Sequence, residues 1–504
     1  MPVFFNRKKA MDMNTISPTA ILMIIVAYFL VLIVISYFTG KEDSNEVFFR
    51  AKKQAPWYLV AFGMIGASLS GITFISVPGW VQGQSFAYMQ MVLGFVVGYM
   101  VIAKVLLPLY YKLNLTSIYE YLDKRFGPVT HKTGAILFLI ARIAGASLRL
   151  FLVAGVLQLL IFDDLGVPFW VTSTITIVLI WVYTFRGGIK TIIWTDTLQT
   201  LFMLIAMVLS MYLIAKDLGL DFKGVIDSIK NSPYSKMFFF DDYNAPSFFW
   251  KQFLAGIFMA IAMTGLDQGM MQKNLTVKTL KDSQKNMFWF SIALFFVNLL
   301  FLSLGVLLLL YAQHNNIDLE AMDIKGDKIF PYIAVKSGLG LPAAVFFILG
   351  LIAAAYSSAD SSMTAITTSV SLDILEIDKK YPKEKQKKIR KRVHIIISLL
   401  FIFILILYKW IITDNSIIKS IFTFAGYTYG PLLGLFAFGL FTKYTIKDKY
   451  VPFVVFASPF LTYLISILPQ KLGLKYQFSF ELLLINAAIT ILGLILLIKK
   501  DDRR

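Results

Sequence analysis

The chain has 504 residues, 58% of them hydrophobic and 15% charged, with a mean hydropathy of +0.71. A soluble chain is about 45–50% apolar and about 25% charged, so the composition excludes a soluble fold and predicts an all-α polytopic membrane protein. Cysteine is absent, and the formal net charge is +18. The first fact excludes disulfides and thiolate metal sites; the second follows the loops, a sign of membrane topology rather than of nucleic-acid binding.

A membrane-crossing helix needs about 20 mostly apolar residues. Thirteen stretches meet that need: 16–39, 57–81, 86–111, 134–162, 167–185, 189–214, 249–272, 286–312, 341–372, 393–412, 417–441, 449–468 and 480–498. The first, ISPTAILMIIVAYFLVLIVISYFT, is longer than a signal-peptide core of about 15 residues and lacks a small-residue cleavage site, so it is expected to remain as a span. Loops on alternate sides differ in charge, and one set carries 30 of the 48 Lys and Arg. Positive loops stay cytoplasmic, which predicts an outside N-terminus and a cytoplasmic C-terminus. The basic run at 379–392 is then an orientation signal that also suits anionic lipid.

Two spans are poor helices at corresponding places. The second contains Gly63, Gly66, Ser68, Ser70, Gly71, Thr73 and Ser76 ahead of Pro78-Gly79, and the seventh contains Thr264-Gly265-Leu266-Asp267-Gln268-Gly269. They lie five spans apart, and an odd offset reverses orientation. Interrupted helices in such a pair mark an inverted repeat with a binding site near the membrane midplane. The ninth span carries LIAAAYSSADSS at 351–362, where lipid-facing helices carry Leu and Val. Ala354, Ser357, Ser358 and Ser361 share one helical face, and their hard oxygens suit a small cation.

Four blocks carry a family resemblance: SLSGITFISVPG (68–79), FRGGIKTIIWTDTLQT (185–200), AAAYSSADSS (353–362) and GYTYGPLLGLF (426–436). Over residues 16–445 the chain resembles the sodium:solute symporter family of sodium-coupled sugar, proline, sialic acid, iodide and vitamin carriers. The resemblance implies a five-plus-five inverted-repeat, LeuT-like core with about 13 transmembrane helices. Its parts would be a tail and first helix (1–56), a first repeat (57–214), a second repeat (249–441) and two accessory helices (442–504). It also implies a first Na+ held by carbonyls of Gly66 and Leu69, the carbonyl of Ala354, and the hydroxyls of Ser357 and Ser358. Asp196 falls where two-sodium relatives hold a second ion, with Ser357, Asp360 and Ser361 as partners. Asp360 departs from the hydroxyl residue those relatives carry.

The solute site is expected between the two breaks, lined by Ser70, Thr73, Asp267, Gln268 and Tyr427, with Trp80, Phe424 and Tyr429 as closing aromatics. Thr73 and Asp267 stand where sugar carriers have Gln and Asn, which argues against a sugar. Asp267 admits several readings: an amine ligand, a cation or proton site, or a cap on the broken helix. Arg142 and Arg149 share a helical face and are expected to pair with acids or to mark an anion path. His131, His314 and His394 show no metal spacing. Sodium-coupled import of a small solute across the plasma membrane follows, with the bilayer as surroundings, no nucleic-acid partner, no enzymatic activity and no oligomeric state defined. The rival readings are a proton-coupled carrier using Asp196, Asp267 or Asp360, and a solute sensor. The sensor would need a signalling domain, whereas the sequence closes on KKDDRR after the last span.

Overall fold

The computed structural model describes residues 18–158, 162, 163, 165–411 and 417–499. Its helices follow the apolar stretches in order. They are α1 (Pro18–Thr39), α2 (Trp57–Gln84, broken), α3 (Tyr88–Lys112), α4 (Pro128–Leu157), α5 (Phe169–Thr184) and α6 (Ile189–Asp217). After a loop carrying a short helix come α7 (Phe249–Gly265 and Gln268–Leu275), α8 (Leu280–His314) and α9 (Leu341–Ile374). The last four are α10 (Lys383–Ile411), α11 (Ile417–Phe441), α12 (Val451–Lys471) and α13 (Leu482–Leu496). Among the described residues nine helices are long and apolar enough to span a membrane, eleven if each bent pair is one span. The shorter apolar helices α5 and α13 occupy the two remaining predicted spans.

Burial sorts these helices into a core and a rim. Every residue of α9 from Phe347 to Ser369 is buried, so this serine-rich helix runs through the centre of the bundle. Small side chains let it do so, because Gly, Ala and Ser allow close backbone approach in membrane bundles. By contrast the apolar windows of α1, α10 and α12 are only 28%, 28% and 22% buried, which leaves their Leu, Ile and Phe for lipid.

One predicted loop is helical. Residues 383–392 of the basic run form the first turns of α10. Within them Arg390 is fully buried, with its guanidinium on Asp43 at 2.5 Å and on the carbonyl of Ser44 at 3.1 Å. Part of the run is therefore a clamp between α10 and the segment before α2. Lys383 and its neighbours suit a helix N-terminal extension because Lys, Gln and Glu are good helix formers.

Candidate functional site

The site begins at the break in α2. Ser70 has φ +43° and ψ 165°, a region that non-glycine residues rarely occupy, and just beyond it the segments Trp57–Gly71 and Thr73–Gln84 meet at 57°. A helix that stops leaves the carbonyls of its last turn without onward partners; here that turn includes Gly66 and Leu69. Glycines seat the broken helix tightly. The Gly66 amide donates to Thr200 Oγ1 of α6 at 3.1 Å, and a Cβ at Gly71 would lie 3.4 Å from Ala355 of α9. The break thus rests directly on the helix that carries Ala354, Ser357 and Ser358.

The second break, at Leu266-Asp267, bends α7 by 66°. Asp267 adopts extended φ/ψ and caps the second half, its carboxylate accepting from the Met270 amide at 3.0 Å. Its other oxygen accepts from the Tyr429 hydroxyl at 2.7 Å and pairs with Arg142 Nη1 at 3.3 Å. Of the readings open from sequence, the capping lock is the one this geometry fits.

On α9 the two serines reach across helices instead of back along their own. Ser357 donates to Asp196 Oδ1 at 2.5 Å, and Ser358 Oγ accepts from Arg149 Nη1 at 3.2 Å. Further along, Ser362, Thr367 and Thr368 do bond to the carbonyl one turn back. Asp196 pairs with Lys273 Nζ at 2.5 Å, both side chains being buried. Asp360 accepts from Tyr183 at 2.9 Å and from Ser361 at 3.2 Å. Asp196 with Ser357, and Asp360 with Ser361, are thus hydrogen-bonded pairs between α6 and α9 and within α9.

Between the breaks lies a cavity of about 100 Å³. Ser68, Leu69, Ser70 and Thr73 line it from α2, Arg142 and Arg149 from α4, Thr264 and Met270 from α7, and Asn298 from α8. Arg142 has one carboxylate partner, Asp267; among the described residues Arg149 has none. The expected pairing with acids holds for the first arginine only. Phe424 and Tyr429 flank both guanidiniums in an adjoining pocket, and Trp80 packs on the cavity residue Tyr88 with ring centroids 5.3 Å apart.

Three expected solute ligands are off the cavity wall: Asp267, held in the lock described above, Gln268 and Tyr427. Gln268 is buried and spends its amide on the Ile118 amide (2.9 Å) and the Thr116 carbonyl (3.0 Å), anchoring the loop before α4. Tyr427 turns away from the cavity toward Ser466 of α12 at 3.3 Å. On α11, residue 427 faces α12 while residue 429 faces the core, so Tyr429 is the tyrosine that reaches the break. Lys273, counted among loop charges from sequence, lies inside the last turns of α7. Its position six residues after Asp267, in a helix rather than past its end, was the available signal. Asn298 was a lone amide in FFVNLLF, and an isolated polar residue within a span is a functional pointer. His131 was also missed: its Nε2 lies 2.9 Å from Asp373, which also accepts from Ser117 and Ser369.

Two helices broken at mid-length, a cavity between them that two arginines line, and a hydroxyl-rich helix against one break define a secondary transporter built on broken helices. The family model described as Sodium:solute symporter family matches residues 48–447, and the chain belongs to that family, whose coupling ion is Na+. It is 26% identical over 419 residues to the sodium/sialic acid symporter NanT of Aliivibrio fischeri, covering 81% of this chain and 80% of that protein. It is 23% identical to the sodium/sialic acid symporter SiaT of Proteus mirabilis, covering 92% of each. The solved structure of a Na+-coupled sialic acid symporter, in a substrate-bound outward-open state, superposes with a TM-score of 0.79. At 21% identity the match covers 94% of this chain and 97% of that one, and it shows the shared LeuT-like fold.

Proposed function

We propose that this protein imports a small organic anion, driven by Na+, through alternating access of its two repeats. The carrying observation is the charge of the cavity between the breaks. Two guanidiniums face it and one carboxylate, Asp267, balances only the first. A carboxylate offered to Arg149 and to the unpartnered Nη2 of Arg142 would complete both, and guanidinium forks match carboxylates well. The relatives named for sialic acid, itself an acid, agree with that reading.

Na+ would bind Gly66, Leu69, Ala354, Ser357 and Ser358, joining the break of α2 to α9. Five neutral oxygens suit a weakly held monovalent ion. Ser358 links the two sites, because its hydroxyl now holds Arg149. An ion taking that oxygen would release the guanidinium toward the solute, so each ligand would favour the other. A second Na+ would use Asp196, Ser357, Asp360 and Ser361. Repeats 57–214 and 249–441 would then rock about the shared site, with the N-terminus outside and both ligands leaving to the cytoplasm.

Uptake into proteoliposomes tests this. A panel of carboxylates, neutral sugars and amines is presented with an inward Na+ or K+ gradient. Uptake of a carboxylate that needs Na+ and is lost in Arg149→Gln and Ser358→Ala is the expected result. Sodium-driven uptake of an uncharged or cationic solute, unaffected by Arg149→Gln, would remove the anion reading.

A further inference from the structure

The wall contributed by α8 adds a chemical demand that the arginines do not make. Asn298 is 1% exposed and lines the cavity. Its Nδ2 donates to the Leu294 carbonyl one turn back at 2.8 Å, which fixes the amide so that Oδ1 is the free end. That Oδ1 has no hydrogen-bond partner. A flipped amide would set its oxygen against the Leu294 carbonyl, so the orientation follows from the helix itself. Most other polar groups on the cavity wall, among them Ser68, Ser70, Thr73, Tyr99 and Thr264, are hydroxyls, which both donate and accept. Asn298 Oδ1 accepts only. An acceptor buried without a donor costs free energy, and a site that keeps one selects for a ligand that brings the donor.

We infer that Asn298 is a specificity-determining residue whose Oδ1 accepts a hydrogen bond from a hydroxyl or amine of the solute, so that the transported anions are hydroxy- or amino-carboxylates rather than plain fatty carboxylates. This rests on the anion reading given above. Arg149 and Arg142 on α4 take the carboxylate, and Asn298 on α8 takes the donor. The pair fixes the solute at two points on two helices. Discrimination arises because a deoxy analogue leaves Oδ1 buried and unpaired.

Pairs of solutes that differ only in the donor test this, whichever solute the protein carries in the cell. Thermal stabilisation of the purified full chain in detergent is measured in NaCl and in KCl with lactate against propionate, alanine against propionate, and gluconate against hexanoate. In NaCl the hydroxylated or aminated member of at least one pair is expected to half-saturate at about tenfold lower concentration than its partner. Asn298→Leu should erase that gap by weakening the donor-bearing member, now without its acceptor, and by keeping or raising the affinity of its partner, which no longer strands a buried oxygen; a merely structural role would weaken both alike. Equal half-saturation within every responding pair of the wild type overturns the inference and leaves the anion reading intact, even if the Leu variant does not fold. A gap that survives in Asn298→Leu overturns it as well. No sodium-dependent response to any of these carboxylates overturns the anion reading and this inference with it.

Discussion

Lys273 and Asp196 are an ammonium and a carboxylate 2.5 Å apart in the protein interior, with Ser357 as the carboxylate's second partner. Removing one member strands the other. Asp196→Asn or Lys273→Met alone is therefore expected to cost about 3–5 kcal/mol of stability, and the double variant should recover much of it. Thermal melts of the four proteins in one detergent close this cycle; additive losses would show that the two groups do not interact. Arg149 makes a different prediction, because it stands between two ligands. Its guanidinium places a positive charge on the hydroxyl of Ser358, beside the expected ion. Arg149→Gln removes that repulsion, so without solute Na+ should bind at least about fivefold more tightly, while carboxylate binding is lost. A sodium titration followed by melting temperature reads the first change, and solute titration in saturating sodium reads the second. Both affinities falling together would instead mark Arg149 as a structural support.

Among the elements, α2 carries a strained residue at its break. The conformation of Ser70, φ +43° with ψ 165°, suits glycine, and holding another residue there costs about 1–3 kcal/mol. Ser70→Gly should melt at or above the wild type, and Ser70→Val below it, since a β-branched side chain suits that backbone least. If Val were as stable as Gly, the break would not depend on the backbone of residue 70. The two breaks were legible because glycine, hydroxyl and carboxylate residues interrupt apolar runs there, and such interruptions have few uses inside a membrane. So was the serine face of α9. What escaped was the direction of individual side chains. Gln268 and Tyr427 sit beside the right breaks in sequence, yet one points to the loop before α4 and the other to α12. Helix rotation decides that, and rotation is set by neighbours whose positions a linear pattern does not carry. Lys273 was hidden for a related reason: a lysine at the end of an apolar run reads as the start of a loop, whereas α7 resumes after its break and carries that lysine inward.

For the whole molecule the decisive quantity is the charge moved per cycle. A monovalent carboxylate travelling with one Na+ moves none, and with two Na+ it moves one positive charge. The proposed second ion beside α6 and α9 would make it two. Asp196 and Asp360 bring two carboxylates, and Lys273 supplies one ammonium. The partners of Asp360 are the hydroxyls of Tyr183 and Ser361, which donate hydrogen bonds without cancelling its charge. A buried carboxylate left in that state is costly, and a second Na+ would balance it. One charge crossing gains about 2.3 kcal/mol per 100 mV, equal to about 1.7 decades of accumulation. Uptake into proteoliposomes should therefore accelerate when valinomycin and an outward potassium gradient make the interior negative. Asp360→Asn should abolish that acceleration while uptake still requires Na+, because the proposed first ion would keep its oxygens at Gly66, Leu69, Ala354, Ser357 and Ser358. A wild type indifferent to the imposed potential would mean a single sodium per anion, with Asp360 satisfied by its hydroxyl partners alone.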